Sequence, residues 1–294
     1  MSIGLPLVFG IATLRPMINQ VQVERVQPRV LRCAIDFSVL CVLFGVLTPV
    51  EPTLAQTPEA PRASGGLTTA KKYTDCMEFA RGKPEKAIGI AAAWERKGGG
   101  AGARHCSAVA LLNSGAYEEA ARRLESLAAS SSERGKRLKA ELLAQAGQAW
   151  LIAGKTTEAL LAQTRALKLG GPRIELLLDR AITHASIAEY WDAIDDLNQA
   201  IDQEPRRVDA LVLRATAWRK LNNLDLAEDD IARAVELAPG SVDALLERGN
   251  ILWFRGNMAA AAADWGRIIS LDAESPAADA ARENLAKQKA LENK

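Results

Sequence analysis

The chain has 294 residues, 37 basic side chains against 36 acidic ones, and a formal net charge of +1. That balance excludes the basic excess of a nucleic-acid binder, and 48% hydrophobic with 25% charged residues excludes a disordered tail. Aromatics are only 5%, while Ala and Leu are abundant and strand-favouring residues sparse, so the composition favours helices.

Residues 1–55 predict a signal peptide. Arg25, Arg29 and Arg32 precede an apolar run from Phe37 to Leu47, which has the length of a signal-peptide core and falls short of the roughly 20 residues that span a bilayer. Thr53-Leu54-Ala55 supplies a small residue at −1 and a tolerable one at −3 for cleavage after Ala55. An uncleaved inner-membrane anchor is the alternative, and Asp36 inside the segment weighs against it. A second short apolar run at residues 3–14 makes the leader unusually long, and a start at Met17 would give a more ordinary one. Cleavage leaves a nearly neutral chain and removes Cys33 and Cys41; Leu40 before Cys41 rules out a lipidation box. The expected location is the periplasm. Residues 56–67, rich in Pro, Gly and Ser, read as a disordered linker.

The body, residues 68–275, repeats. Ala159, Ala193, Ala227 and Ala261 stand 34 residues apart, and they carry Gly147, Ala181, Ala215 and Gly249 upstream and Ala166, Ala200, Ala234 and Ile268 downstream in the same phase. Pro205 and Pro239 close two units, with Pro172 and Pro276 slightly displaced. The pattern predicts pairs of amphipathic helices. Small residues sit where two helices cross, a larger apolar residue fills the space beside them, and Pro ends the second helix. One pair cannot bury its apolar face alone, so the pairs must stack. An insertion over about Ser130 to Lys139 interrupts the spacing, and the polar helix at 276–294 should cap the stack.

These positions resemble the tetratricopeptide repeat (TPR) family. Residues 140–173 supply Gly147, Trp150, Gly154, Ala159 and Ala166; 174–207 supply Ala181, Tyr190, Ala193, Leu197, Ala200 and Pro205. Residues 208–241 supply Ala215, Trp218, Ala227, Ile231, Ala234 and Pro239, and 242–275 supply Gly249, Leu252, Gly256, Ala261, Trp265 and Ile268. Residues 101–134 fit through Ala108, Leu111, Gly115, Tyr117, Ala120 and Leu124, and 68–100 form a degenerate copy with Gly82, Pro84, Ala87 and Trp94. His184, Asn222 and Thr156 depart from the family pattern. The resemblance implies an all-α solenoid of about six repeats whose concave face binds a protein or peptide. Carried over position by position, that face would present Leu178, Ile182, Val212, Thr216, Arg219, Leu246, Asn250, Trp253 and Phe254. The family's clamp for a peptide carboxylate is matched only at Asn250.

Cys76 and Cys106 fall on the first helices of consecutive repeats, which stacking sets side by side, so a disulfide is expected in an exported protein; two buried thiols are the alternative. With His105 and His184 as the only histidines, no metal site and no cofactor are expected. The Gly98-Gly99-Gly100-Ala101-Gly102 run lacks the strand before it and the Lys-Ser/Thr after it that a phosphate loop needs, and reads as a flexible turn. Glu141, Glu175, Asp209 and Asp243 recur at one phase, where acids favour the start of a helix. The expected function is a non-enzymatic envelope scaffold. A glycan-handling or enzyme-associated protein using His105 and Cys106, or a self-stacking structural protein, are the alternatives; the oligomeric state is open.

Overall fold

The computed structural model describes residues 64–131 and 135–292, with side chains from residue 70 onward. The predicted signal peptide and most of the predicted linker lie outside the described residues. Among the described residues thirteen helices follow one another: α1 Ser64–Gly82, α2 Pro84–Arg96, α3 Gly100–Asn113, α4 Tyr117–Ser130, α5 Lys136–Ile152, α6 Thr156–Gly170, α7 Ile174–Ser186, α8 Tyr190–Gln203, α9 Val208–Lys220, α10 Leu224–Leu237, α11 Val242–Phe254, α12 Met258–Leu271 and α13 Pro276–Glu292. No strand occurs among the described residues. The first helix begins at Ser64, inside the stretch read as linker.

Each 34-residue unit is one helix pair. Ala159, Ala166, Ala193, Ala200, Ala215, Ala227, Ala234 and Ala261 are fully buried at the crossings, as their phase predicts. Gly147 and Gly249 take the same role: a Cβ on Gly249 would lie 2.5 Å from the Trp265 indole nitrogen, and one on Gly147 2.6 Å from Gln163 Cγ. α8 and α10 stop two residues before Pro205 and Pro239, whereas Pro276 opens α13, where its missing N–H costs nothing.

The turn inside each pair uses a left-handed residue. Gly115, Gly154, Ala188, Asn222 and Gly256 all have φ between 60° and 86°, at the same phase in five successive units. Asn222, which looked out of pattern, tolerates this conformation; alanine at 188 is the strained member. Ala188→Gly is expected to stabilise the protein by about 1 kcal/mol in a urea melt.

The expected insertion is shorter than the sequence suggested. Residues 136–139 carry no helix breaker, and they extend α5 by a turn rather than forming a loop. Within the glycine run, residues 100–102 already belong to α3, and Gly99 and Gly102 lie against the Trp94 ring, so their small size serves close packing. Apolar burial is divided into clusters along the array, as stacking of nearest neighbours requires.

First helices touch first helices of the next unit: α5 meets α7, α7 meets α9, α9 meets α11 and α11 meets α13. Second helices instead pack on the first helices of their own and the following unit. The first helices therefore line the inner, concave side of the curved stack.

Candidate binding groove

The concave face differs along its length. At its N-terminal end, Cys76 and Cys106 are bridged, tying α1 to α3 with Cα atoms 6.1 Å apart. The Cys106 sulfur is thereby spent, and His105 turns away from it. His105 Nδ1 shares a 2.7 Å hydrogen bond with Tyr73 Oη, and Nε2 faces Gln145 Oε1 at 3.2 Å. Burial pushes the His105 pKa down and the Tyr73 pKa up, so the row from α1 through α3 to α5 is held neutral. The bridge closes a 30-residue separation, and its reduction, or Cys76→Ser, is expected to cost about 3 kcal/mol. Thermal melts with and without reductant, read by circular dichroism, check this.

Between α5 and α7, Gln148 Nε2 donates to both Asp179 carboxylate oxygens at 3.0 and 2.9 Å. From α7 to α9 the floor turns apolar. Leu178 and Val212 are buried, Ile182 and Thr216 are half-buried, and the Thr216 hydroxyl donates back to the Val212 carbonyl at 2.9 Å.

At the C-terminal end the predicted groove residues are largely drawn into the fold. Arg219 is buried, and its Nε and Nη2 donate to Glu247 at 2.5 and 3.0 Å. Asn250 donates to Glu247 at 3.4 Å and accepts from Asn284 of α13 at 3.0 Å. Trp253 is half-buried, with its ring 5.8 Å from that of Trp265, while Leu246 is half-buried above the same cluster. Phe254 remains 59% exposed, with the Arg219 guanidinium 5.5 Å over its ring. The capping helix thus covers part of this end and leaves Phe254 on the rim.

The tetratricopeptide repeat family matches residues 178–242 and 219–279. Residues 178–279 are tetratricopeptide repeats. MamA residues 41 to the end, from Desulfovibrio magneticus RS-1, is 20% identical with a TM-score of 0.51, covering 60% of this TPR chain and 97% of that one. A double mutant of MamA RS-1 is 22% identical with a TM-score of 0.50, covering 58% and 94%. YrrB, described as a TPR protein with an unusual peptide-binding site, is 18% identical with a TM-score of 0.47, covering 65% and 96%. No curated protein matches the chain.

A polar device of this TPR stack escaped the sequence reading. Arg180, Arg214 and Arg248 on first helices each form a paired bond to Asp196, Asp230 and Asp264 on the second helix of the same unit, at 2.6–2.8 Å. Every pair is 16 residues apart and recurs after 34, a signal present in the sequence. In the unit 140–173 the same two places are Ala146 and Ala162, both buried. Arg214→Ala, which strands the nearly buried Asp230 carboxylate, is expected to cost about 2 kcal/mol. Arg214→Ala with Asp230→Ala, copying the Ala146–Ala162 arrangement, should recover most of that loss in the same denaturant titration.

The acidic phase is also more than a dipole effect. Glu141 pairs with Arg137 at 3.1 Å and Arg173 at 3.6 Å. Arg207 reaches Asp209 at 2.7 Å and Glu175 at 3.5 Å. Asp243 has no hydrogen bond or ion pair among the described residues, and burial pushes its carboxyl pKa up. A cleft of about 320 Å³ opens beside it, lined by Arg207, Val208, Asp209, Val212, Ser241 and Asp243.

One set of donors could approach a metal: His184 Nδ1, Glu189 and Asp192 place one ligand atom each within 4.8 Å of one another. They sit at the α7–α8 turn, and His184 Nδ1 is engaged with Glu189 at 2.7 Å. No helix among the described residues is long and apolar enough to cross a membrane.

Proposed function

We propose that this TPR protein is a non-enzymatic adaptor of the bacterial cell envelope, exported by residues 1–55 and gripping a segment of a partner protein in the groove of its first helices. The observation that carries this reading is the apolar floor of Leu178, Ile182, Val212 and Thr216, flanked by polar rows that the fold has already satisfied. Such a floor suits side chains of an extended or helical segment. The Cys76–Cys106 bridge supports an oxidising compartment, hence export to the periplasm or display from the inner membrane if the leader is retained.

Photo-crosslinking in cells tests the reading. A crosslinker at Ile182 should capture a protein, whereas one at Glu236, exposed on the second helix α10, should not. Equal capture from both sites, or none from Ile182, overturns it. N-terminal sequencing of the exported chain tests cleavage after Ala55.

A further inference from the structure

The cleft beside Asp243 has an occupied counterpart one repeat earlier in the same molecule. Arginine stands at residues 173 and 207, and the next place in that series, 34 residues on, is Ser241. The acids of the series continue without interruption as Glu141, Glu175, Asp209 and Asp243. Between α7 and α9 the chain fills the slot itself: the Arg207 guanidinium lies between Glu175 and Asp209, at 3.5 Å from one and 2.7 Å from the other. Between α9 and α11 the corresponding acids are Asp209 and Asp243, but the arginine is gone. The Ser241 hydroxyl is spent accepting from the Ala244 N–H at the start of α11.

What is left is a cleft with two carboxylates, one arginine already committed to Asp209, and apolar walls from Val208 and Val212. Its volume, about 320 Å³, is at the small end of ligand sites and suits one long side chain. Apolar walls below an acidic end fit a residue with an aliphatic stem and a cationic head. Planar guanidinium matches carboxylates with two parallel bonds, which an ammonium cannot do. Asp243 is meanwhile a half-buried acid with no ion-pair partner among the described residues.

We propose that this cleft receives an arginine side chain of the partner segment bound in the groove, completing from outside the arginine series that Ser241 interrupts. The inference rests on the groove reading of the preceding section and names the charge its occupant must carry. The incoming guanidinium lies between Asp209 and Asp243 as Arg207 lies between Glu175 and Asp209.

Selection of twelve-residue peptides displayed on phage against the full chain supplies the probes. Arginine should be enriched at one position of the recovered peptides. A synthetic peptide in which citrulline replaces that arginine should bind about tenfold more weakly. In Ser241→Arg the chain supplies its own guanidinium, so the ratio between the two peptides should fall to near one. Asp243→Asn should abolish the discrimination while remaining at least as stable as the parent, which separates lost recognition from lost folding. Peptides that bind equally well with citrulline, or discrimination that survives Ser241→Arg, overturn the arginine slot and leave the groove reading standing. Failure to recover any peptide that binds the groove overturns both.

Discussion

Trp265→Ala is expected to destabilise the protein by about 4 kcal/mol. Trp265 is 1% exposed and joins α12 to Leu245, Ala277, Ala278 and Ala281, so its loss opens a cavity that α11, α12 and α13 line together. Among the described residues its buried indole N–H has no acceptor, and its packing comes from shape. That shape is matched by Gly249, where even a methyl group would fall 2.5 Å from the indole nitrogen. Gly249→Ala should therefore cost about 2 kcal/mol by overpacking. Combining Gly249→Ala with Trp265→Phe should cost less than the two single effects added, because the smaller ring makes room for the methyl. Urea titrations read by far-ultraviolet circular dichroism measure all of these without depending on tryptophan fluorescence.

Glu247→Ala should cost about 3–5 kcal/mol, because it strands Arg219, whose side chain is 6% exposed, without its counter-charge. The loss extends beyond the pair. Glu247 also accepts from Asn250, and Asn250 accepts from Asn284, so the chain of bonds that ties α9 through α11 to the capping helix is broken. Hydrogen exchange in α13 should accelerate in this variant and stay unchanged in α5. By contrast, Arg219→Met with Glu247→Leu removes both charges and fills their volume, and should be close to neutral in a denaturant titration. A double variant as unstable as Glu247→Ala would show that hydrogen bonds to the pair, and not the stranded charge, dominate.

Much of the architecture is legible in the order of residues because each TPR unit is built from short-range rules. The crossings must be Gly or Ala, the chain must break before Pro205 and Pro239, and these demands recur every 34 residues whatever the partner across the groove. The groove floor at Leu178, Ile182, Val212 and Thr216 follows from the same phase. Ala188 was legible only through its phase with Gly154, Asn222 and Gly256; its own side chain disfavours a left-handed turn, which the stacked helices on either side impose. The extra turn of α5 was missed because an interruption of period looks alike whether the added residues loop out or lengthen a helix.

The sequence by itself determined that the body is a stack of helix pairs and which faces of those pairs are buried. Only the tertiary structure decided which polar side chains already hold partners within the fold. Arg219 and Asn250 occupy the right positions for recognition but are consumed by Glu247 and Asn284, while Asp243 stands in a row of paired acids and alone lacks its arginine. The physical reason is range. Helix formation and small-residue crossings depend on neighbours within one unit, whereas the pairing of a charge depends on distances of a few ångströms between helices about 30 residues apart, where Ser241 in the place of a further arginine leaves a cleft open.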